Sequence, residues 1–234
     1  MPTPVPQPPR RHIIFDLDGT LIDSVRLTCA IIDTMLAERG AAHRADPARA
    51  RAMDAVGGEA MIAAVMGSYC HDPAADIAEF RARHAMAATP PDLAFAGVAD
   101  TLATLGRAGL AMAICSNKPQ PLCENILHDL GLAPHFSVII GSRPGLPRKP
   151  APDAALLALA GLQAGAAQAL YVGDSVVDAR TAAAAGLPLA LAGWGYGIDN
   201  ARAHAPHAPV FASIADLAAH LTGPHHDRII PSAS

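Results

Sequence analysis

The stretch HIIFDLDGTLIDS, residues 12–24, sets Asp16 and Asp18 at the end of a short apolar run, directly before Gly19 and Thr20. Side chains two apart on a strand point the same way, so both carboxylates can face one site as the chain turns at Gly19. Three further apolar runs lead to polar groups. After AMAIC come Ser116 and Asn117, a hydroxyl and the amides of an expected helix N-terminus, which could bind phosphate oxygens. After FSVII comes a loop ending in Arg148-Lys149-Pro150-Ala151-Pro152-Asp153, a cation just before a Pro-started helix. After ALYVG come Asp174 and Asp178, four apart and so expected on one face of a helix's first turn. Singly, each reads equally well as a turn, a cap or a surface charge. Jointly, four carboxylates, a hydroxyl and a lysine at one sheet edge are hard to explain by structure alone.

The elements that must hold these groups alternate along the chain. Strands are expected at 12–17, 111–115, 136–140, 169–173 and 188–192, with APVFA at 208–212 as one more. Helical faces fall between them: Val98, Leu102 and Leu105; Leu122, Ile126, Leu127 and Leu130; Ile214, Leu217 and Leu221. Apolar strands separated by helices predict an α/β fold, a Rossmann-like doubly wound parallel sheet that collects ligands at its strands' carboxyl ends. About ninety residues separate the first two strands, far more than a crossover needs. Leu27, Ile31 and Met35 recur there at i+4, and helical stretches follow near 47–56, 59–66 and 74–88. The predicted organisation is a Pro-rich tail (1–11), an α/β core (12–23 and 95–222), an inserted α-helical cap (24–94) and a C-terminal tail (223–234). Following the first strand directly, the cap is a candidate lid, with hinges near 23–25 and 92–97.

Composition excludes several classes. With 51% hydrophobic and 16% charged residues the chain can fold around a core, and aromatics at 4% leave alanine as the main packing residue. Formal charge is −4, from 17 basic and 21 acidic residues, and the basic ones form no stripe, so neither nucleic acid nor membrane is an expected partner. The uncharged stretch 182–198 is broken by Gly186, Pro188, Gly193, Gly195 and Gly197, which argues against a membrane helix. MPTPVPQPPRR has no apolar h-region, and His225 with His226 reads as a solvated terminus. Cys29, Cys70, Cys115 and Cys123 contain no C-x-x-C pair, which fits a reducing cytoplasm, with Cys115 as a buried small hydrophobe.

FDLDGTL, CSNKP, the run from Lys149 to Asp153 and GDSVVD, in this order, resemble the four signature motifs of the haloacid dehalogenase superfamily, in its phosphatase branch. The early helical insertion, together with FAGV, SNKP, LGLAPHF and WGYG, is similar to the phosphoglycolate phosphatase group with its small helical cap. Arg26, Glu59 and Ser142-Arg143-Pro144 depart from that group's pattern, which bears on substrate rather than reaction class. The resemblance implies hydrolysis of a small phosphorylated metabolite through an aspartyl-phosphate. Asp16 would be the nucleophile and Asp18 the acid/base. Mg2+ would be held by Asp16, the Asp18 backbone carbonyl and Asp174, with Asp178 acting through water or by orienting the other ligands. Ser116, the Asn117 amide and Lys149 would bind the phosphoryl oxygens, and Thr20 would position the acid/base carboxyl or join the phosphate site. A phosphomutase of the β-phosphoglucomutase type shares these groups, a true dehalogenase would leave Asp18 no oxygen leaving group to protonate, and a non-catalytic binding module would be expected to lack one of them. Arg26, Arg44, Arg49, Arg51 and Glu59 could meet a substrate's far end, although each reads as well as a solvated helix charge.

Overall fold

The computed structural model describes residues 11–53 and 58–223. The Pro-rich start, the C-terminal stretch with His225 and His226, and residues 54–56 of the second helix expected in the insertion lie outside them.

Six strands form one parallel sheet: β1 (His12–Phe15), β2 (Ala111–Pro119), β3 (Val138–Ser142), β4 (Ala169–Gly173), β5 (Leu189–Ala192) and β6 (Val210–Phe211). Their order is β3-β2-β1-β4-β5-β6, with β1 paired to both β2 and β4, so the doubly wound expectation holds. Chain direction across the sheet reverses beside β1. Its Ile13, Ile14 and Phe15 are at most 1% exposed, and burying each contributes roughly 1.5–3 kcal/mol.

Between β1 and β2 lie α1 (Ser24–Glu38), α2 (Pro47–Met53), α3 (Gly58–Met66) and α4 (Pro73–Met86). The chain divides into two compact units, one of Ile22–Leu93 and one built from the flanking stretches up to Leu21 and from Ala94. Within the helical unit, α1 buries Leu27, Ile31, Ile32, Met35 and Leu36, the stripe expected from their spacing. Asp72 caps α4 by accepting from the Ala74 and Ala75 amides, Pro73 begins the helix, and Arg83 and His84 face the negative end of its dipole. Arg39 bridges Asp76 at 2.6 Å and Glu79 at 2.8 Å. The arginines that could meet a substrate's far end, or serve as ordinary helix charges, have partners within this unit: Arg26 pairs with Asp92 at 2.7 Å, Arg49 donates to the Ala64 carbonyl at 3.1 Å, and Arg51 and Arg44 lie 3.7 and 3.8 Å from Asp23 and Asp33.

In the other unit, α5 (Val98–Arg107), α6 (Gln120–Asp129), α7 (Asp153–Gly161), α8 (Val176–Ala184), α9 (Ile198–His204) and α10 (Ile214–Thr222) flank the sheet. Val98, Leu102 and Leu105 of α5 and Ile214, Leu217 and Leu221 of α10 are buried as their spacing predicts. A cluster of small residues, Ala154, Ala155, Ala158 and Ala182 among them, packs helices against β1, β2 and β4. No helix among the described residues is long and apolar enough to cross a membrane.

Several element boundaries differ from the sequence expectation, and the reasons are local. β1 ends at Phe15: the Asp16 amide still bonds the Val172 carbonyl of β4, but the chain then turns, with the Leu17 carbonyl accepting from the Thr20 and Leu21 amides. β3 starts at Val138 because Phe136 closes the short turn Ala133–His135. β2 runs four residues past AMAIC, through Ser116 to Pro119. Gln120 holds this polar extension beside β3, its amide donating to the Ile139 carbonyl at 2.9 Å and accepting from the Gly141 amide at 2.6 Å. The approach requires glycine, since a Cβ on Gly141 would stand 2.6 Å from Gln120 Cα. Ser116 and Asn117 therefore lie in a strand, not at the helix N-terminus expected for them. α7 likewise begins at Asp153 with Pro152 as its N-cap, so the proline precedes the helix rather than starting it.

Candidate active site

The carboxyl ends of β1, β2 and β4 bring the sequence-selected residues together. Asp16 is 7% exposed and Lys149 6%. Lys149 Nζ lies 2.7 Å from Asp16 Oδ1 and 2.8 Å from Asp178 Oδ1, and donates to the Cys115 carbonyl at 3.0 Å. Tyr171 OH is 3.2 Å from the same ammonium and 3.2 Å from Asp178 Oδ1. A lysine with four oxygen neighbours has one direction in which to point.

Asp174 and Asp178 share the site without sharing a helical face. Ser175 takes the N-cap of α8, which leaves Asp174 outside the helix and Asp178 at its third position. Ser175 Oγ accepts from the Asp178 amide at 3.2 Å, while Asp178 Oδ2 accepts from the Ser175 amide at 3.0 Å and hydroxyl at 2.6 Å, a reciprocal capping box. Asp174 Oδ1 accepts from Thr20 Oγ1 at 3.1 Å and Oδ2 from the Gly197 amide at 3.1 Å. Gly195 must lack a side chain, because a Cβ there would sit 2.1 Å from Asp174 Cβ.

Thr20 is fully buried, and its hydroxyl donates to Asp174 rather than to Asp18. Asn117 also does more than offer an amide: its side chain donates to the Lys149 carbonyl at 3.0 Å and accepts from the Lys149 amide at 2.8 Å. Ser116 is 3% exposed, and its Oγ accepts from the Lys118 amide at 3.2 Å. Asp18 stands apart from the other acids, its Oδ1 3.0 Å from Lys118 Nζ, close enough for a charge contact although not aligned as a hydrogen bond.

Local sequence pattern singles out neither Lys118 nor Tyr171. Lys118 stood next to selected residues, but its role needs the strand extension beyond Cys115. Tyr171 is a polar tip in the otherwise apolar, fully buried β4, and that was its one signal. Cys115, 3.0 Å from Lys149 through its carbonyl, keeps a thiol that burial pushes up to about 11, as expected of an inert small hydrophobe.

Charge is unevenly compensated. Burial pushes the Asp16 carboxyl well above the usual carboxylate range, the Asp178 charge adds to this, and Lys149 pulls it back only in part. Burial also works against the Asp178 carboxylate, but Lys149 and the Ser175 hydrogen bonds outweigh it and hold that carboxyl low. Lys149 stays charged: burial opposes its ammonium and the adjacent acids outweigh burial. Asp16, Asp174 and Asp178 offer oxygens within 4.8 Å of one another. Their hard, oxygen-only donor set fits a divalent cation such as Mg2+. Four carboxyl groups, Asp16, Asp18, Asp174 and Asp178, face only two ammoniums, Lys118 and Lys149, so the site is short of the positive charge that such an ion would supply.

Comparison with known proteins agrees with this geometry. The family model for haloacid dehalogenase-like hydrolases matches residues 13–192. A phosphoglycolate phosphatase of Xanthomonas campestris pv. campestris is 38% identical over 195 residues, covering 81% of this chain and 86% of its own. One from Yersinia pseudotuberculosis is 33% identical over 229 residues, covering 88% and 91%. Among solved structures, a variant of CbbY from Rhodobacter sphaeroides in complex with xylulose-(1,5)-bisphosphate matches with a TM-score of 0.67 at 26% identity, over 88% of this chain and 96% of that one. The chain therefore belongs to the haloacid dehalogenase-like hydrolases, and within them to the phosphoglycolate phosphatase-like enzymes.

Proposed function

We propose that the protein is a magnesium-dependent phosphomonoesterase of the cytoplasm that works through an aspartyl-phosphate on Asp16, with 2-phosphoglycolate as its expected substrate. The observation that carries the reading is a buried carboxylate at a strand end, fixed by Lys149 at 2.7 Å, with a second acid two residues on that is held by a different cation. The phosphoglycolate phosphatases named above support the substrate.

An oxygen of Asp16 attacks phosphorus in line, and the ester P–O bond breaks as Asp18 hands its proton to the leaving alkoxide. Asp18 then takes a proton from water, whose oxygen attacks the aspartyl-phosphate and releases inorganic phosphate with the Asp16 carboxylate restored. Lys149, the Ser116 hydroxyl and the Asn117 amide bind the phosphoryl oxygens as their charge shifts. Mg2+ held by Asp16, the Asp18 backbone carbonyl and Asp174, with Asp178 acting through water or by orienting the other ligands, would supply the positive charge that lets a carboxylate approach a phosphate dianion.

The test is phosphate release from a panel of phosphomonoesters that includes 2-phosphoglycolate and sugar phosphates, with Mg2+ and with EDTA. The reading expects metal-dependent release, strongest for 2-phosphoglycolate, and its loss in Asp16→Asn. Isomerised sugar phosphate without release would replace it with the mutase, and unimpaired turnover by Asp16→Asn would remove the covalent step.

A further inference from the structure

Asp18 is 18% exposed on its side chain, so solvent and substrate reach it, yet its Oδ1 is buried beside the Lys118 ammonium at 3.0 Å. Lys118 is itself only 10% exposed on its side chain. Its backbone is secured from several directions: its amide donates to Ser116 Oγ at 3.2 Å, its carbonyl accepts from Cys123 Sγ at 3.5 Å, and Pro119 stands in register with Ser142 of β3. Gln120 ties the next residue to β3 through the Ile139 carbonyl and the Gly141 amide. This is more support than a surface lysine needs. The polar extension of β2 sets this ammonium beside Asp18.

Two carboxylates two residues apart on one strand end repel each other, and Asp16 already has Lys149. Without a cation of its own, Asp18 would be free to turn toward Lys149 or toward a bound metal. An ammonium against Oδ1 also occupies that oxygen. It leaves Oδ2 as the atom that carries the proton to the leaving group and accepts it back from water.

We propose that Lys118 is a positioning residue for this reaction, holding Asp18 in the orientation that delivers its proton from Oδ2. The inference rests on the acid/base role given to Asp18 above. Proton delivery matters in proportion to how poor the leaving group is, so losing it slows phenyl phosphate far more than p-nitrophenyl phosphate, two esters of nearly the same shape. A lysine that merely bound the substrate or stabilised the fold would affect both esters alike.

The experiment measures kcat/KM, which reports the step that expels the phenol, for both esters with saturating Mg2+ in the full chain. Wild type is compared with Asp18→Asn, Lys118→Met, Lys118→Gln and Lys118→Arg, each checked by thermal melting. Asp18→Asn and Lys118→Met should each lose on the order of tenfold or more on phenyl phosphate beyond their loss on p-nitrophenyl phosphate, while Lys118→Arg stays within about threefold of wild type on both. If Lys118→Met does not fold, Lys118→Gln, which keeps a donor without the charge, takes its place with the same expectation. Selective loss in Asp18→Asn with an equal loss on both esters, or none, in the Lys118 variants would overturn the positioning role and leave the acid/base reading intact. No selectivity in Asp18→Asn would overturn both.

Discussion

The side chain of Asn117 grips the backbone of Lys149 at both of its polar groups, donating to the carbonyl at 3.0 Å and accepting from the amide at 2.8 Å. Residues 32 apart in sequence are thereby fixed to each other, and the lysine that meets Asp16 is placed through its main chain as well as its ammonium.

Replacing Asn117 with Ala should loosen this loop. Each buried backbone group left without a partner costs about 1–3 kcal/mol, so stability falls by roughly that amount. If Lys149 binds the phosphoryl group as proposed, competitive inhibition by inorganic phosphate should weaken about tenfold when the residue is displaced. Urea unfolding and inhibition constants check the two effects.

Lys149→Met should destabilise the metal-free protein by about 3–5 kcal/mol, since it leaves the buried Asp178 carboxylate without its cation and Asp16 without its hydrogen-bond donor. Saturating Mg2+ should recover part of that loss by replacing the missing positive charge. Unfolding free energies with EDTA and with Mg2+ measure the difference; an equal deficit in both would contradict the expectation.

Gly195→Ala inserts a Cβ at 2.1 Å from Asp174 Cβ, so one of the two must move. The expected loss is about 1–3 kcal/mol in stability. Mg2+ affinity should fall about 10- to 100-fold, because the carboxylate is displaced from Thr20 and Gly197. Calorimetric titration of Mg2+ into wild type and variant gives the ratio directly.

In the helical unit, Arg39 and the Cys70 thiol hold the Asp76 carboxyl down at about 2, from an ordinary 3.8, and the arginine dominates. A carboxyl that is more acidic when folded stabilises the fold above its unfolded value, and that contribution is lost as pH falls through about 4 toward about 2. Discounted for nearby solvent, it is on the order of 1–2 kcal/mol near neutrality. Asp76→Asn should therefore differ from wild type in urea stability at neutral pH, and the gap should narrow steadily on acidification.

The parts of the site that obey short-range rules were legible in the sequence. Asp16 and Asp18 stand out because acids end an apolar strand, and the parallel sheet follows from apolar runs that alternate with helices. Less visible was anything decided between distant segments. The extension of β2 depends on Gln120 reaching Ile139 and on Gly141 admitting it, so Lys118 could not be placed beside Asp18 from local pattern alone. Asp174 and Asp178 lie close together but not on one helical face, because Ser175 takes the helix cap, which their spacing alone does not reveal. Thr20 was drawn to Asp18 by proximity in sequence, whereas the fold offers it Asp174, 154 residues away.

The central position of β1 has a consequence for biosynthesis. This strand leaves the ribosome first, yet its two neighbours begin at Ala111 and Ala169. At about 5–20 residues per second, Ile13, Ile14 and Phe15 wait on the order of ten to thirty seconds before both flanks exist. Throughout that interval the nascent chain carries an unpaired apolar segment, the kind of sequence that chaperones bind, and Asp16 cannot meet Asp174 and Asp178 until synthesis has passed β4.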